Sequence, residues 1–244
     1  MAESWKQRLR RTTNRALRPL GLHLSRTGRT FDMGGLLERA AARGVEIGTW
    51  IDVGASDGSW SMAARRHFPT SRFLLFEPLT ERQAALAALH QNFGFEIVAA
   101  AAGAAAGRVA FSVDPHLDGS GVAAAGSAGT REVPVTTIAA TVAARGLPGS
   151  YGLKLDTHGF ELPVLEGAGH VLKAAELLVI EAYNFELTPG SLRFHELCAW
   201  LECRGFRCCD LADPMRRPRD GALWQMDLAF APATSPLFAA NTYE

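Results

Sequence analysis

The feature that most constrains this chain is its alternation of short apolar segments with amphipathic ones. LLERAAARG (36–44) predicts a helix closed by Gly44, TWIDVGA (49–55) a strand running into Gly and Ser, and SWSMAARRHF (59–68) the next helix. RFLLFEP (72–78) is a second strand stopped by Pro78, ERQAALAALHQNF (81–93) a helix, and FEIVAAAAG (95–103) a third strand. RVAFSV (108–113) and REVPVTTI (131–138) predict β segments flanking a Gly/Ala/Ser loop, and residues 114–130 form a candidate lid. The rhythm resumes with YGLKLD (151–156), a helix from about 160 to 173, ELLVIEAY (176–183) and a helix over 191–205. FRCCDLA (206–212) and WQMDLAFA (224–231) close the series as strands. Strands in the first half are apolar nearly throughout, as parallel strands covered on both faces must be. The alternation therefore predicts an open, doubly wound α/β sheet with its site at the carboxyl ends of the strands.

Equal numbers of Lys+Arg and Asp+Glu, 25 each, conceal an asymmetry. Residues 1–30 hold eight basic residues and one acid, whereas the remainder holds 17 basic and 24 acidic residues. The predicted organisation is a basic arm or helix over 1–34, a catalytic domain over 35–235 and a short tail over 236–244. Within the arm, residues 4–18 predict a basic amphipathic helix, a solvated arm or a contact for an anionic membrane surface or acidic partner. An acidic body argues against nucleic acid as the main partner, because enzymes acting on it concentrate positive charge near the cleft. No apolar run approaches the ~20 residues that span a bilayer, and the N-terminus lacks a signal-like apolar region, so a cytoplasmic location is expected. Cys198, Cys203, Cys208 and Cys209 show no zinc spacing and are expected to be reduced, mostly buried thiols.

The chemistry concentrates in two segments. In Ile51-Asp52-Val53-Gly54-Ala55-Ser56-Asp57-Gly58 the two glycines sit on the turn from first strand to first helix, where a missing side chain lets a ligand reach the backbone. The spacing is GxxxG, not the GxGxxG of dinucleotide sites, and Asp52 would repel a pyrophosphate while suiting a cationic ligand. Glu77 ends the second strand, 25 residues after Asp52, where an acid can accept hydrogen bonds from both hydroxyls of a ribose.

With these segments, LKLDTHGFELPVLEGA, LLVIEAY and WQMDLAF make residues 47 to 232 resemble the FkbM family of S-adenosylmethionine (SAM) dependent methyltransferases. The resemblance implies a Rossmann-like class I methyltransferase fold, a seven-stranded mostly parallel sheet with an antiparallel last strand. It further implies O-methylation of a hydroxyl on a small molecule, sugar or glycan. Carried over by position, Asp52, Gly54 and Gly58 would line the methionine portion of SAM and Glu77 the ribose. Ala55, Ser56 and Pro78, on the same two turns, complete the expected cofactor-binding set. The chain departs from the pattern in having only Ala99 to Ala102 and Gly103 after the third strand, which leaves adenine to backbone and apolar contacts. It has Ala139 where an acid is expected after VPVTTI.

Methyl transfer to a hydroxyl needs the acceptor oxygen held ~3–3.5 Å from the methyl carbon, and a base within hydrogen-bond reach assists it. Asp156 is the first choice for that role. His158 comes second, since a neutral imidazole is a base suited to neutral pH. Lys154 and Glu181 are expected to converge on the same spot, with Lys154 paired to Glu181 or Asp156. Asp156, His158, Glu181 and Asp227 also offer hard ligands for Mg²⁺, but no dense acidic cluster is present and no metal is assigned. A non-catalytic SAM-binding scaffold is the alternative from another class.

Overall fold

The computed structural model describes residues 12–13, 15–17, 19, 31–123 and 127–243. Most of the expected basic arm, and residues 124–126 of the expected lid, lie outside the described residues. Those residues of the 4–18 helix that are described, 12–13 and 15–17, are helical.

Seven strands make the main sheet: β1 (Thr49–Val53), β2 (Arg72–Phe76), β3 (Glu96–Val98), β8 (Tyr151–Leu155), β9 (Ala175–Tyr183), β10 (Phe206–Arg216) and β11 (Leu223–Pro232). Their order is β10-β11-β9-β8-β1-β2-β3, and β11 alone runs against the rest, antiparallel to both β9 and β10. Side chains alternate across each strand, so both faces need cover. Ile51, Leu74, Leu153, Ile180 and Phe230 pack with helices Ile138–Arg145, Glu161–Ala168 and Phe194–Glu202. Trp50, Leu75, Val179 and Ala229 point the other way, toward helices Met33–Ala42, Ser59–His67 and Gln83–Phe93. Trp50 fits at the sheet centre because its cross-strand neighbour is Gly152, where a Cβ would come within 2.4 Å of the indole.

A second sheet comprises β4 (Ala101–Ala102), β5 (Gly107–Ser112), β6 (Gly121–Val122) and β7 (Thr130–Thr136), in the order β4-β7-β5-β6. The expected third strand thus divides between the two sheets. Part of the expected lid is β6, paired through Phe111↔Val122 to β5. The helix Ile138–Arg145, not anticipated from sequence, starts where the Thr137 hydroxyl accepts the Ala140 N–H at 3.1 Å. The Phe31 carbonyl accepts the Asp213 N–H at 2.6 Å.

No helix among the described residues is long and apolar enough to cross a membrane. All four cysteines are free, but Cys203 and Cys208 are exposed and the other two half-buried. The expectation of mostly buried thiols fails because the carboxyl end of the helix Phe194–Glu202 and the edge strand β10 face solvent on one side.

Candidate active site

The turn after β1 is held by its neighbours. Gly54 has φ 74°, and a Cβ there would meet the Asp156 carbonyl oxygen at 2.0 Å. Ser56 follows with φ 50°, a left-handed conformation that non-glycine residues seldom adopt. The glutamate ending β2 stabilises it: Glu77 Oε2 accepts the Ser56 N–H at 2.8 Å and Oε1 the Leu79 N–H at 2.9 Å. Burial pushes the Glu77 carboxyl above its usual range despite these two bonds. Gly54→Ala is expected to lower stability by at least ~1–2 kcal/mol from backbone conformation alone, with the carbonyl clash added. Urea denaturation would measure it.

Two residues of the expected cofactor set lie elsewhere. Asp52 is wholly buried and does not border the cavity described below. Strand alternation turns it toward the helix Ser59–His67, where Ser61 Oγ donates to its Oδ2 at 2.7 Å. The β1/β8 register sets it beside Lys154, whose Nζ lies 3.2 Å from Oδ1. Its charge is therefore spent inside the protein. Gly58 (φ 82°) begins the same helix, and a Cβ there would lie 2.2 Å from Leu89, so it serves close packing and not the cavity wall.

Lys154 ties the two central strands together. Beyond Asp52, its Nζ donates to the Gly54 carbonyl at 3.0 Å and lies 3.4 Å from Asp156 Oδ2. Burial opposes the charge, but Asp52 and Asp156 outweigh it and hold the ammonium above its usual range. Lys154 thus pairs with Asp156, as expected, and with Asp52 in place of Glu181.

Asp156, His158 and Glu181 do converge. His158, at φ 52°, has Nδ1 3.0 Å from the Ser120 carbonyl oxygen. A carbonyl only accepts, so Nδ1 carries a proton, and in the neutral imidazole Nε2 presents the lone pair. Nε2 lies 3.4 Å from Asp156 Oδ1 and 3.6 Å from Glu181 Oε2. Among the described residues this trio is the group whose spacing fits a metal ion, with its ligand atoms within 4.8 Å of one another. Glu181 is buried and accepts from Tyr183 Oη and Gln225 Nε2. Burial and then the Asp156 charge push its carboxyl up to about 9, while the Lys154 ammonium overcomes burial to keep Asp156 below the usual carboxylate range. One carboxyl of the pair is thus protonated and the other ionised at neutral pH.

This makes stability pH-dependent. Between the ordinary value of 4.5 and about 9, folded Glu181 keeps a proton that the unfolded chain has lost, so its contribution falls as pH rises through that window. Glu181→Gln, neutral throughout, is expected to flatten this decline when denaturation midpoints are compared at acidic, neutral and alkaline pH.

Asp156, His158 and Lys154, but not Glu181, border a cavity of about 380 Å³, within the ~300–1,000 Å³ range of small-molecule sites. Gly54, Ala55, Ser56, Glu77, Pro78, Lys154, Asp156 and His158, all expected from sequence, border it. One end is apolar, with Phe76, Leu79, Ala101, Ala102 and Phe111. The other brings Met33, Trp60, Asp213 and Asp227 together from distant parts of the chain. Asp213 reaches this wall with φ 45° and accepts the Met33 N–H at 3.1 Å. Glu161, at the start of the helix after β8, is buried and accepts from Thr157 and Gly159. A second cavity, also about 380 Å³, shares Gly121, Val122 and His158 with the first and is walled by Tyr183, Trp224, Thr188 and Gln225. The residues supplied by the 114–130 loop, among them Leu117, Asp118 and Gly121, already form part of the cavity wall, and Asp118 is tied to Arg82 at 2.7 Å.

A sheet in which only β11 is antiparallel, with a glycine turn after β1 and an acid ending β2, defines a class I SAM-dependent methyltransferase fold. The family model described as the methyltransferase FkbM domain matches residues 52–208, and the chain belongs to this family of SAM-dependent methyltransferases. No curated protein matches the chain. A solved methyltransferase FkbM from Methylobacillus flagellatus is 16% identical, with TM-score 0.48, over 75% of this chain and 43% of that one. The chain thus spans less than half of that protein's length. The proposed tRNA (m1A22) methyltransferase Sp1610 of Streptococcus pneumoniae, solved with SAM, is 11% identical (TM-score 0.46) over 82% of this chain and 73% of that one. Mitomycin 7-O-methyltransferase MmcR is 16% identical (TM-score 0.42) over 95% and 59%.

Proposed function

We propose that this protein transfers a methyl group from SAM to a hydroxyl of a small molecule, sugar or glycan. The observation that carries the reading is the placement of His158, which borders both cavities with Nδ1 turned to the Ser120 carbonyl and Nε2 beside the Asp156 carboxylate. The larger cavity has the chemistry SAM requires. Its apolar end suits adenine, Glu77 retains lone pairs for ribose hydroxyls, and the far end carries acidic groups for a cationic amino-acid portion. Bound there, SAM supplies an electrophilic methyl on a positive sulfur.

The residues then divide the work. His158 Nε2 accepts the proton of the acceptor hydroxyl as its oxygen takes the methyl. Asp156, 3.4 Å away, stabilises the imidazolium so formed. Lys154 pulls electron density from Asp156 and makes it the poorer base of the two, which reverses the order expected from sequence. Exclusion of nucleic acid as acceptor rests on the acidic charge of the body.

The test is calorimetric titration with SAM, followed by transfer of labelled methyl to a panel of hydroxylated sugars and small molecules and, separately, to tRNA. Label in hydroxyl acceptors is expected; label in tRNA alone would overturn the acceptor class. The spacing of Asp156, His158 and Glu181 favours a second reading with divalent-metal assistance. Turnover abolished by EDTA and restored by Mg²⁺ would select it.

A further inference from the structure

Five acidic side chains border the larger cavity, and four of them already have a hydrogen-bond or ion-pair partner within the protein. Glu77 accepts two backbone N–H groups, Asp118 pairs with Arg82, Asp156 with Lys154, and Asp213 accepts the Met33 N–H. The fifth, Asp227 on β11, makes no side-chain hydrogen bond or ion pair with the described residues. Its cross-strand neighbour Glu181 brings no compensating charge, and Lys154, the nearest cation, is held by Asp52, Asp156 and the Gly54 carbonyl. Taking a carboxylate out of water without a partner is unfavourable, so the site is built for a positive group that arrives with the ligand.

We infer that Asp227 is the counter-ion for the α-ammonium group of SAM. The inference rests on the proposed function and adds a residue that no motif of the first half supplies. SAM carries two positive centres, and they differ in what they offer a carboxylate. The sulfonium has no N–H, whereas the ammonium has three donors and forms the short, charge-assisted bonds that an acceptor-only group requires. Asp227 also lies at the correct end of the cavity. Glu77 is on β2 at one side, Asp227 on β11 at the other, as the ribose and the amino-acid portion are in an extended ligand. Met33 and Trp60 line the same cavity and add apolar surface to it.

The experiment is a thermodynamic cycle on the full chain. Dissociation constants are measured by calorimetry for S-adenosylhomocysteine and for its analogue with the α-amino group replaced by hydrogen, on wild type and on Asp227→Asn. Wild type is expected to prefer the parent compound by roughly tenfold or more, the size of a hydrogen bond to a charged group, and Asp227→Asn to erase that preference. An equal loss for both ligands, or none for either, overturns the assignment. Equal affinity of wild type for the two compounds overturns it without any variant, should Asp227→Asn fold poorly. Wild type that binds neither compound refutes the proposed function itself, a result distinct from all of these.

Discussion

His158→Asn is expected to reduce kcat by roughly 10²–10⁴-fold, the usual contribution of a positioned general base, while leaving the affinity for SAM nearly unchanged. Asparagine is the informative substitution because it tolerates the left-handed conformation at φ 52° yet has no basic nitrogen. Loss of turnover then cannot be ascribed to collapse of the turn between β8 and the helix Glu161–Ala168. Comparing single-turnover rates with calorimetric SAM affinity separates the two effects. Normal turnover in this variant would remove His158 from the mechanism and return Asp156 to first place.

Glu77→Ala is expected to weaken SAM binding by about 1.5–3 kcal/mol, or roughly 10- to 100-fold in Kd. Two terms act in the same direction. The variant removes an acceptor for ribose hydroxyls, and it frees the Ser56 and Leu79 N–H groups that Glu77 holds at 2.8 and 2.9 Å. The second term also loosens the left-handed Ser56 turn, so a drop in melting temperature should accompany the loss. Glu77→Gln, which keeps one acceptor oxygen and the side-chain shape, is expected to fall between wild type and alanine. Unchanged SAM affinity in Glu77→Ala would move the ribose away from the end of β2.

How far the site was legible in the sequence follows from how local each signal is. The glycine turn and the acid ending β2 lie within single βα units, so their placement on the cavity needed only the strand pattern. Asp52 belongs to the same run of residues, yet one position of strand alternation decides between cavity wall and helix-facing interior. The β1/β8 register then consumes its charge on Lys154, a residue a hundred positions away. Gly58 misleads in the same manner, because a glycine at a turn looks alike whether it admits a ligand or, as here, the Leu89 side chain.

The chain by itself determined the class of fold, the order of the main-sheet strands along the chain, and the residues at the carboxyl ends of β1, β2, β8 and β9. Those properties depend on the period of apolar residues and on turn chemistry, both written within a few neighbouring positions. Only the tertiary structure decided which nitrogen of His158 is basic, through the Ser120 carbonyl, and which carboxyl of the Asp156–Glu181 pair keeps its proton. It alone also brought Met33, Asp213 and Asp227 to one end of the cavity. The physical reason is that charge state and hydrogen-bond direction are set by distances of three to four ångströms between residues far apart in the chain. Sheet register and packing fix those distances, and local sequence does not encode them.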